Sequence, residues 1–448
     1  MLAREHQVPG AQLAVHCAGS TVAVECGELH CESGNPVTRD TAFPIGSISK
    51  SFTATVAMTL VADGDLELDE PLGEHLPELG SLGETLTLRQ VLSHTGGLAG
   101  GPDSTEVSAA SPRRYVLDHC GPQSLLRPPG TGFSYSNIGY VLIGHLIETV
   151  TGMTWWEAVE SLLLRPLGIV PTFVVEPTAR LPRRPVATGH SVNPLAGRVR
   201  PAEQSLTLAE APTGALAVSA VDLVAFGRLH AGPGAPGLLP ASHAEQMRQA
   251  VPDADPFGLA DGWGAGLAVF RDGGSHWVGH DGNANGTSCY LRVDPATGWV
   301  VAFTSNASNG LGLWEAILAE LARSGGPAVP PRPQVPAGPP LAPPPGCIGT
   351  YANSEVEYVV AGADEDRYLA VDGGDLIRLA FHPDLVFSFA DPDTGRQVLG
   401  GRFVADPVTG EIDGVQVGGR LALRCERPAV PGWSEPSLDH ALACSPAA

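Results

Sequence analysis

The sequence predicts an α+β fold, in which an antiparallel sheet flanked by helices, with a helical subdomain, precedes a small antiparallel β-barrel. Three observations support this prediction. Strand-like runs occur near both ends of the first 326 residues, helical periodicity fills the region between them, and short alternating runs follow a proline-rich segment. Strands at both ends of a helical region are expected to pair, so that the two ends complete one sheet.

The elements of this first region, the body, follow from apolar periodicity. Apolar residues alternate or cluster near residues 11–26, which predicts a hairpin. Helical spacing and then strand-like runs follow, and residues 313–322 predict a closing helix. The other predicted helices cover residues 50–62, 138–150, 155–164 and 221–230, and the later strands cover 276–279, 287–293 and 299–304.

The proline-rich segment, residues 327–345, holds ten prolines in nineteen positions. Such a segment cannot form a helix or a central strand, and we interpret it as a semi-rigid linker. It separates the body, residues 1–326, which we predict to be the catalytic domain, from a second domain of residues 346–428. Short apolar runs in this second domain alternate with Asp-Gly, Asp-Pro and Thr-Gly turns, which is typical of an up-and-down barrel. Residues 429–448 have no pattern and predict a mobile tail.

Composition excludes several classes of partner. The formal charge of −22 argues against binding to nucleic acid or to an anionic membrane, because both require basic surface. No apolar run reaches the length of a bilayer span, and the amino terminus lacks the pattern of a signal peptide, so we expect a cytoplasmic protein. The eight cysteines include no C-x-x-C pair. We therefore predict neither a metal site nor a cofactor.

The first candidate catalytic motif is FPIGSISKSFTA, where Ser47 precedes Lys50 by three residues. On a helix these positions share a face, so the amine can lie beside the hydroxyl. A buried lysine with a lowered pKa can remove the proton from a serine. A serine at a helix start also offers its own N–H to a developing oxyanion. Lys50 is the only lysine among the 26 lysines and arginines.

Two further motifs carry polar side chains toward a possible pocket. In FSYSNIGY, Tyr135 and Asn137 point the same way if the loop is extended, which would pair a proton shuttle with an amide-binding group. In WVGHDGNANG, His280 ends an apolar strand and Gly282 would let a ligand approach an edge strand. The N–H of Asn283 would complete an oxyanion hole. Taken singly, each motif also fits an ordinary structural role.

Asp281 in the last motif has two interpretations from the residues alone. Its carboxylate can pair with a substrate ammonium, or it can cap a turn at the end of the strand, and the second is about as plausible.

In this order and at these separations, the three motifs resemble the serine β-lactamase and penicillin-binding-protein superfamily, in particular its class C β-lactamase, esterase and D-aminopeptidase branch. LRQVLSHTGGL and GALAVSAVDLVAFGRL support the resemblance across residues 8–325. It implies Ser47 as nucleophile, Lys50 and Tyr135 as the acid/base pair, and Asn137 and His280 as substrate-positioning groups. His280 replaces the lysine of the family's Lys-Thr-Gly, so slow β-lactam hydrolysis is expected.

A narrower resemblance covers almost the whole chain. GHDGNANGTSCYLRVDP and, past the linker, GTYANSEVEYVV are similar to the penicillin-binding-protein-type thioesterases, stand-alone cyclases of nonribosomal peptide assembly such as surugamide cyclase. The resemblance implies a lipocalin-like barrel and transfer of a peptidyl thioester from a peptidyl carrier protein domain to Ser47. It also implies a D-residue at the acylating end and head-to-tail macrolactam formation.

The role of Arg420 depends on this resemblance. A matching Gly-Gly-Arg in the cyclases implies that Arg420 reaches the substrate, whereas an arginine on a barrel face is more often solvated.

Two other functions fit the same residues. One is a cytoplasmic D-stereospecific serine hydrolase, an aminopeptidase, amidase or esterase, in which water is the acceptor. The other is a non-catalytic sensor that retains the fold, which we rank lower because all the reacting groups are present.

Overall fold

The computed structural model describes residues 1–176, 182–232, 234–235, 237–363 and 365–425. The predicted mobile tail, residues 429–448, lies outside the described residues.

The body is built on a seven-stranded antiparallel sheet with the order β2-β1-β11-β10-β9-β8-β7. β1 pairs with β11, so the two ends of the body complete one sheet as predicted. Two short pairs, β3 with β6 and β4 with β5, lie outside this sheet. The strands are β1 (Gly10–Cys17), β2 (Ser20–Gly27), β3 (Phe43–Pro44), β4 (His190–Asn193), β5 (Arg198–Pro201), β6 (Ala217–Val218), β7 (Gly262–Trp263), β8 (Ala268–Asp272), β9 (Ser275–Gly282), β10 (Ser288–Val293) and β11 (Val300–Ser305).

Helices cover both faces of this sheet. Their bounds are α1 (Leu2–Glu5), α2 (Ser49–Asp63), α3 (Leu88–Leu92), α4 (Pro112–His119), α5 (Asn137–Thr151), α6 (Trp155–Val159), α7 (Ala211–Gly214), α8 (Ala220–Gly227), α9 (Ala241–Arg248) and α10 (Gly310–Arg323). α6 continues into a π-helical turn and α8 into a 3-10 turn, so the predicted helices 155–164 and 221–230 each change geometry near their carboxyl ends.

Every residue of β10 and β11 is buried, because α8 packs on one face of the sheet and α10 on the other. On the α10 side, the rings of Tyr290 and Trp314 stack with centroids 5.3 Å apart. On the α8 side, Leu291 and Val300 join a larger core that also surrounds α2. α2 is therefore a central helix, buried without interruption from Ser49 to Met58, and it holds Lys50 of the candidate catalytic motif in a close-packed core.

The second domain is a nearly closed nine-stranded antiparallel barrel with its own core, which includes Tyr351, Phe387 and Phe403. β12 pairs with β20, so the first and last strands meet. This confirms the predicted small barrel. Its strands are β12 (Gly349–Asn353), β13 (Val356–Ala361), β14 (Tyr368–Val371), β15 (Ile377–Arg378), β16 (Ala380–Phe381), β17 (Val386–Ala390), β18 (Gln397–Ala405), β19 (Ile412–Val417) and β20 (Arg420–Arg424).

The barrel is fixed to the body by hydrogen bonds around its β19–β20 turn. The N–H of Tyr135 donates to the carbonyl of Gly419 at 3.0 Å, and the N–H of Leu421 donates to Ser134 Oγ at 3.3 Å. Asn353 Oδ1 accepts from the N–H of Gly100 at 2.7 Å. The barrel therefore covers the loop that carries Tyr135. In the part of the chain that the structure describes, no helix has both the length and the apolar character needed to cross a membrane.

Candidate active site

Ser47 lies in a 3-10 turn, Gly46–Ile48, that leads directly into α2. This turn packs backbone against backbone on the end of β9. A side chain on Gly46, whose φ is +50°, would place its Cβ 2.2 Å from the carbonyl oxygen of Asn283. A side chain on Gly282 would place its Cβ 1.9 Å from the carbonyl oxygen of Ile45. The two glycines therefore set the distance between Ser47 and β9.

The role predicted for Gly282 needs correction. β9 is flanked by β8 and β10, so it is not an edge strand. The close approach that Gly282 permits is that of the Ser47 turn, not of a ligand.

Gly282→Ala is expected to destabilise the protein by about 3 kcal/mol, because a methyl group cannot enter the space held by the backbone of Ile45. Denaturant unfolding measures this change. Gly132→Ala is the control, since a Cβ there meets no atom within 4 Å. Equal stability of the two variants would contradict the packing argument.

Lys50 is positioned as a base for Ser47. Its Nζ lies 3.0 Å from Ser47 Oγ and donates to the carbonyl oxygen of Thr213 at 3.0 Å. The side chain is 1% exposed. Burial, with the nearby Arg420 guanidinium, holds the pKa of Lys50 well below its usual range, and the carboxylate of Glu210 opposes this only in part. A neutral amine at this position can accept the serine proton.

Tyr135 lies beside the same amine. Lys50 Nζ is 5.1 Å from the centroid of the Tyr135 ring, and the ring of His94 stacks on Tyr135 with ring centroids 4.2 Å apart. Burial raises the pKa of Tyr135, and the nearby Ser47 hydroxyl and Arg420 guanidinium oppose this rise. The phenol is protonated, and apart from the nearby Ser47 hydroxyl it has no hydrogen-bond partner among the described residues. It is therefore available as a proton donor.

His280 presents a hydrogen-bond acceptor rather than a cation. Its Nδ1 lies 2.6 Å from the carbonyl oxygen of Asp281, which requires Nδ1 to carry the proton. Burial lowers the pKa of His280 to about 4, a change that the Lys50 charge reinforces. Nε2 therefore holds a lone pair, and no described residue donates to it. This arrangement favours a substrate N–H over a carboxylate.

Asp281 is held between two arginines. Its Oδ1 lies 2.5 Å from Arg292 Nη1, and its Oδ2 lies 3.2 Å from Nε of Arg332 in the proline-rich linker. These cations lower the pKa of Asp281 although burial opposes them. Asp281 is a residue of β9 rather than a turn cap. Its charge is already paired within the protein, but it lines the cleft, so pairing with a substrate ammonium stays a prediction.

The two asparagines differ in their relation to the cleft. Asn283 follows β9, contacts Gly46 through its backbone and lines the cleft with Ser47. Its N–H stays the predicted second donor of an oxyanion hole with that of Ser47. Asn137 is the first residue of α5, where its N–H donates to Gly100 O at 2.9 Å. It is not among the cleft-lining residues.

Arg420 enters the cleft from the barrel. It is the first residue of β20, it is half-buried, and it lines the same cleft as Ser47. Its side chain makes no hydrogen bond or ion pair with any described residue. The guanidinium is therefore free to bind a polar group of the substrate, and its charge acts on Lys50, Tyr135 and His94.

Arg420→Gln is expected to lower kcat/KM about tenfold or more, because a charged hydrogen bond to the substrate is lost. The pH profile should also move. Since Arg420 lowers the pKa of Lys50, removing it raises that pKa, and the acid limb of kcat/KM shifts to higher pH. Arg378→Gln, at an exposed barrel arginine, is the control. A lower rate with an unmoved acid limb would contradict the electrostatic role.

The cleft has a volume of about 370 Å³. Its lining combines body, linker and barrel residues: Ser47, Tyr135, Leu259, Trp263, Ala268, Phe270, His280, Asp281, Asn283, Arg332, Tyr358, Val417, Gly418 and Arg420. A larger cavity of about 910 Å³ is lined by Met153 and Phe173 among others, and no predicted site residue lines it. No group of three or more residues of the types that bind metals lies close enough to hold an ion in the described ranges.

Three residues at the site were not among the predicted site residues. His94 stacks on Tyr135, and its Nδ1 accepts from the N–H of Ser136 at 3.0 Å. Trp263 packs edge-on against His280 with ring centroids 5.2 Å apart, and its indole N–H has no partner in the described structure. Arg332 belongs to the linker. Unpaired polar atoms around one nucleophile are expected where a substrate completes the hydrogen bonds.

Comparison with known proteins agrees with this geometry. A family model described as Beta-lactamase matches residues 2–322. The chain belongs to the beta-lactamase family. A relative in this family, penicillin-binding protein 4 of Amycolatopsis lactamdurans, is 34% identical over 71% of this chain and 86% of that protein. The chain is thus an acyl-enzyme hydrolase or transferase of the serine β-lactamase and penicillin-binding-protein superfamily.

Solved structures of the family extend the likeness to the barrel. The crystal structure of SurE matches with a TM-score of 0.82 and 40% identity, over 95% of this chain and 96% of SurE. SurE with D-Leu matches with a TM-score of 0.81 at the same identity. The D-amino acid amidase of Ochrobactrum anthropi matches 72% of this chain and 97% of its own, at 25% identity and a TM-score of 0.62. The resemblance to a penicillin-binding-protein-type cyclase is confirmed.

Proposed function

We propose that the protein transfers a peptidyl thioester to Ser47 and releases the peptide as a head-to-tail macrolactam. One observation supports this most directly: the likeness to SurE, the surugamide cyclase, runs through body and barrel, whereas the D-amino acid amidase matches only 72% of the chain. The barrel supplies Tyr358, Val417, Gly418 and Arg420 to the cleft, so a substrate on Ser47 contacts it.

Acylation follows from the geometry of Ser47. Its Oγ attacks the thioester carbonyl while its proton passes to the neutral Lys50 amine, 3.0 Å away. The carbonyl oxygen becomes an oxyanion near the N–H groups of Ser47 and Asn283, and losing one such donor typically costs about 3–4 kcal/mol. The C–S bond then breaks, and the leaving thiolate takes a proton from the Lys50 and Tyr135 pair. The products are a free thiol and an ester on Ser47.

Deacylation reverses these roles. The peptide's own amine attacks the Ser47 ester, and Lys50 with Tyr135 accepts its proton and returns one to Ser47 Oγ. His280 Nε2, an acceptor without a partner among the described residues, can hold the N–H of that amine. Aminolysis must compete with water, and a barrel that covers the cleft reduces the access of water and holds the chain folded.

The proposed donor is a peptide with a D-residue at its acylating end, carried by a peptidyl carrier protein domain. SurE has a structure with D-Leu, and D-amino acid amidase is similar to the body of this chain. Both observations favour D-configured substrates. The carrier domain is the natural source of a thioester for such an acyl-enzyme.

A peptidyl pantetheine-type thioester that ends in a D-residue tests the proposal. Mass spectrometry of the products is expected to show the cyclic peptide, and Ser47→Ala should give neither cyclic nor linear product. The matched substrate ending in the L-residue should acylate more slowly. Linear acid alone would overturn the cyclase proposal and favour the D-stereospecific hydrolase. No adduct on Ser47 would exclude both.

A further inference from the structure

β18 extends beyond the strand that pairs with it. β19 pairs with β18 from Gly401 to Ala405 only, while the preceding residues, 397–400, lie alongside β17 alone. No other described backbone group bonds to these residues. Successive residues of a strand direct their N–H and C=O groups to alternate sides. The edge of β18 at residues 397–400 therefore carries unpaired backbone groups, and we call it the open edge.

The open edge faces a cavity between the domains. This interdomain cavity has a volume of about 470 Å³, and all the residues of the open edge line it. The body contributes Phe257, Leu259 and Leu311, and the linker contributes Arg332 and Val335. Most of these side chains are apolar and half-buried. Charged side chains also line the cavity, among them Glu5 and Asp391, and Arg396 pairs with Glu315 at 2.7 Å.

The interdomain cavity adjoins the Ser47 cleft. Leu259, Arg332 and Gly418 line both spaces, so the two are neighbours. β19 would have continued along the open edge, but the chain turns away at Gly418 and Gly419, whose φ angles are +54° and +77°. The vacant strand position therefore starts beside the cleft and leads away from it.

We propose that the acyl chain of the substrate occupies this position as an added strand of the barrel. With the reacting carbonyl at Ser47, the next residues of the peptide would pass Gly418 and pair with the open edge, as extended peptides pair with exposed sheet edges elsewhere. At 3.2–3.4 Å per residue, the open edge accommodates roughly three or four residues. The half-buried apolar lining favours apolar side chains on that segment.

This inference rests on the proposed function, because it assigns the chain of the same acyl donor. It differs in what it predicts, because the barrel binds the main-chain groups of the substrate peptide. The length and the backbone chemistry of that peptide should therefore affect acylation more than its side chains do. An extended bound strand alternates its N–H groups between the two sides. Removing single N–H groups should therefore affect binding at every second position.

The test uses D-terminated peptidyl thioesters of one to six residues with the full-length protein, with kcat/KM for acylation as the readout. We expect a gain of about tenfold or more that levels off near five residues, as two or more backbone hydrogen bonds form. Single N-methylation along the longest substrate should lower kcat/KM at alternate positions. A kcat/KM that does not change with substrate length would overturn the inference. An equal loss on N-methylation at every position would also overturn it.

Two matched variants separate the open edge from the rest of the barrel. Val398→Trp fills the interdomain cavity and should bring the ratio of long- to short-substrate rates toward one. Val408→Trp makes the same change at a position that is 91% exposed, and should keep the wild-type ratio. If the one-residue substrate acylates Ser47 and kcat/KM does not depend on substrate length, this inference alone is contradicted. Failure of every thioester to acylate Ser47 would instead sink the proposed function.

Discussion

Lys50→Met is expected to lower kcat/KM for acylation about a thousandfold to ten-thousandfold, because it removes the base that lies 3.0 Å from Ser47 Oγ. Methionine fills a similar volume without charge, so the variant should remain folded. Stopped-flow acylation with a chromogenic ester measures the loss. Ser47→Ala sets the lower limit, since no acyl-enzyme can form on alanine.

Lys50→Arg distinguishes the ability of Lys50 to accept a proton from its positive charge. Arginine keeps the positive charge but stays protonated, so it cannot accept the proton of Ser47. We expect a loss as large as that of Lys50→Met. Substantial activity in Lys50→Arg would contradict the general-base role and indicate that the cation alone is required.

The pH dependence of kcat/KM in the wild-type enzyme also tests the general-base role of Lys50. Because burial and Arg420 lower the pKa of Lys50, the amine becomes neutral well below pH 10.5, and kcat/KM should rise as pH increases through this lowered value. The free energy of unfolding should also increase with pH. Between the lowered pKa and about pH 10.5, Lys50 is protonated in the unfolded chain but neutral in the folded protein. The contribution of Lys50 to stability therefore rises with pH up to about 10.5, and Lys50→Met should remove that contribution.

The sequence was informative where function depends on local spacing. Ser47 and Lys50 are three residues apart, and the helical geometry that joins their side chains is a local property. The overall sheet was equally predictable, since β1 and β11 show clear apolar runs and pair as expected. The barrel followed from regular turns between short runs.

Contacts between distant segments could not be predicted in this way. Arg332 reaches Asp281 from the linker, and nothing in either local pattern indicates the pair. The same applies to His94, whose ring stacks on Tyr135 only because two loops meet there. Gly282 stands at a strand end in the sequence, but the residue it packs against, Ile45, comes from the turn before α2. Tertiary packing decides such roles.

Tyr135→Phe is expected to lower kcat/KM about a hundredfold to a thousandfold, because the hydroxyl that donates to the leaving group is lost while the ring keeps its stacking on His94. Burial holds the pKa of Tyr135 above its usual range, so the phenol is protonated across the physiological range. The loss should therefore be nearly constant between pH 6 and 9. Ester hydrolysis with leaving groups of graded pKa measures the effect.

Tyr140→Phe is a matched control for this substitution. Tyr140 is also fully buried, and its ring centroid lies 5.8 Å from Lys50 Nζ. Its hydroxyl, however, donates to the carbonyl of Leu92 at 2.9 Å and is not free to reach a substrate. Removing it should cost about 1 kcal/mol of stability and little activity. If both variants lose activity equally, the role of Tyr135 is to support Lys50 through packing, and proton transfer must be assigned to Lys50 alone.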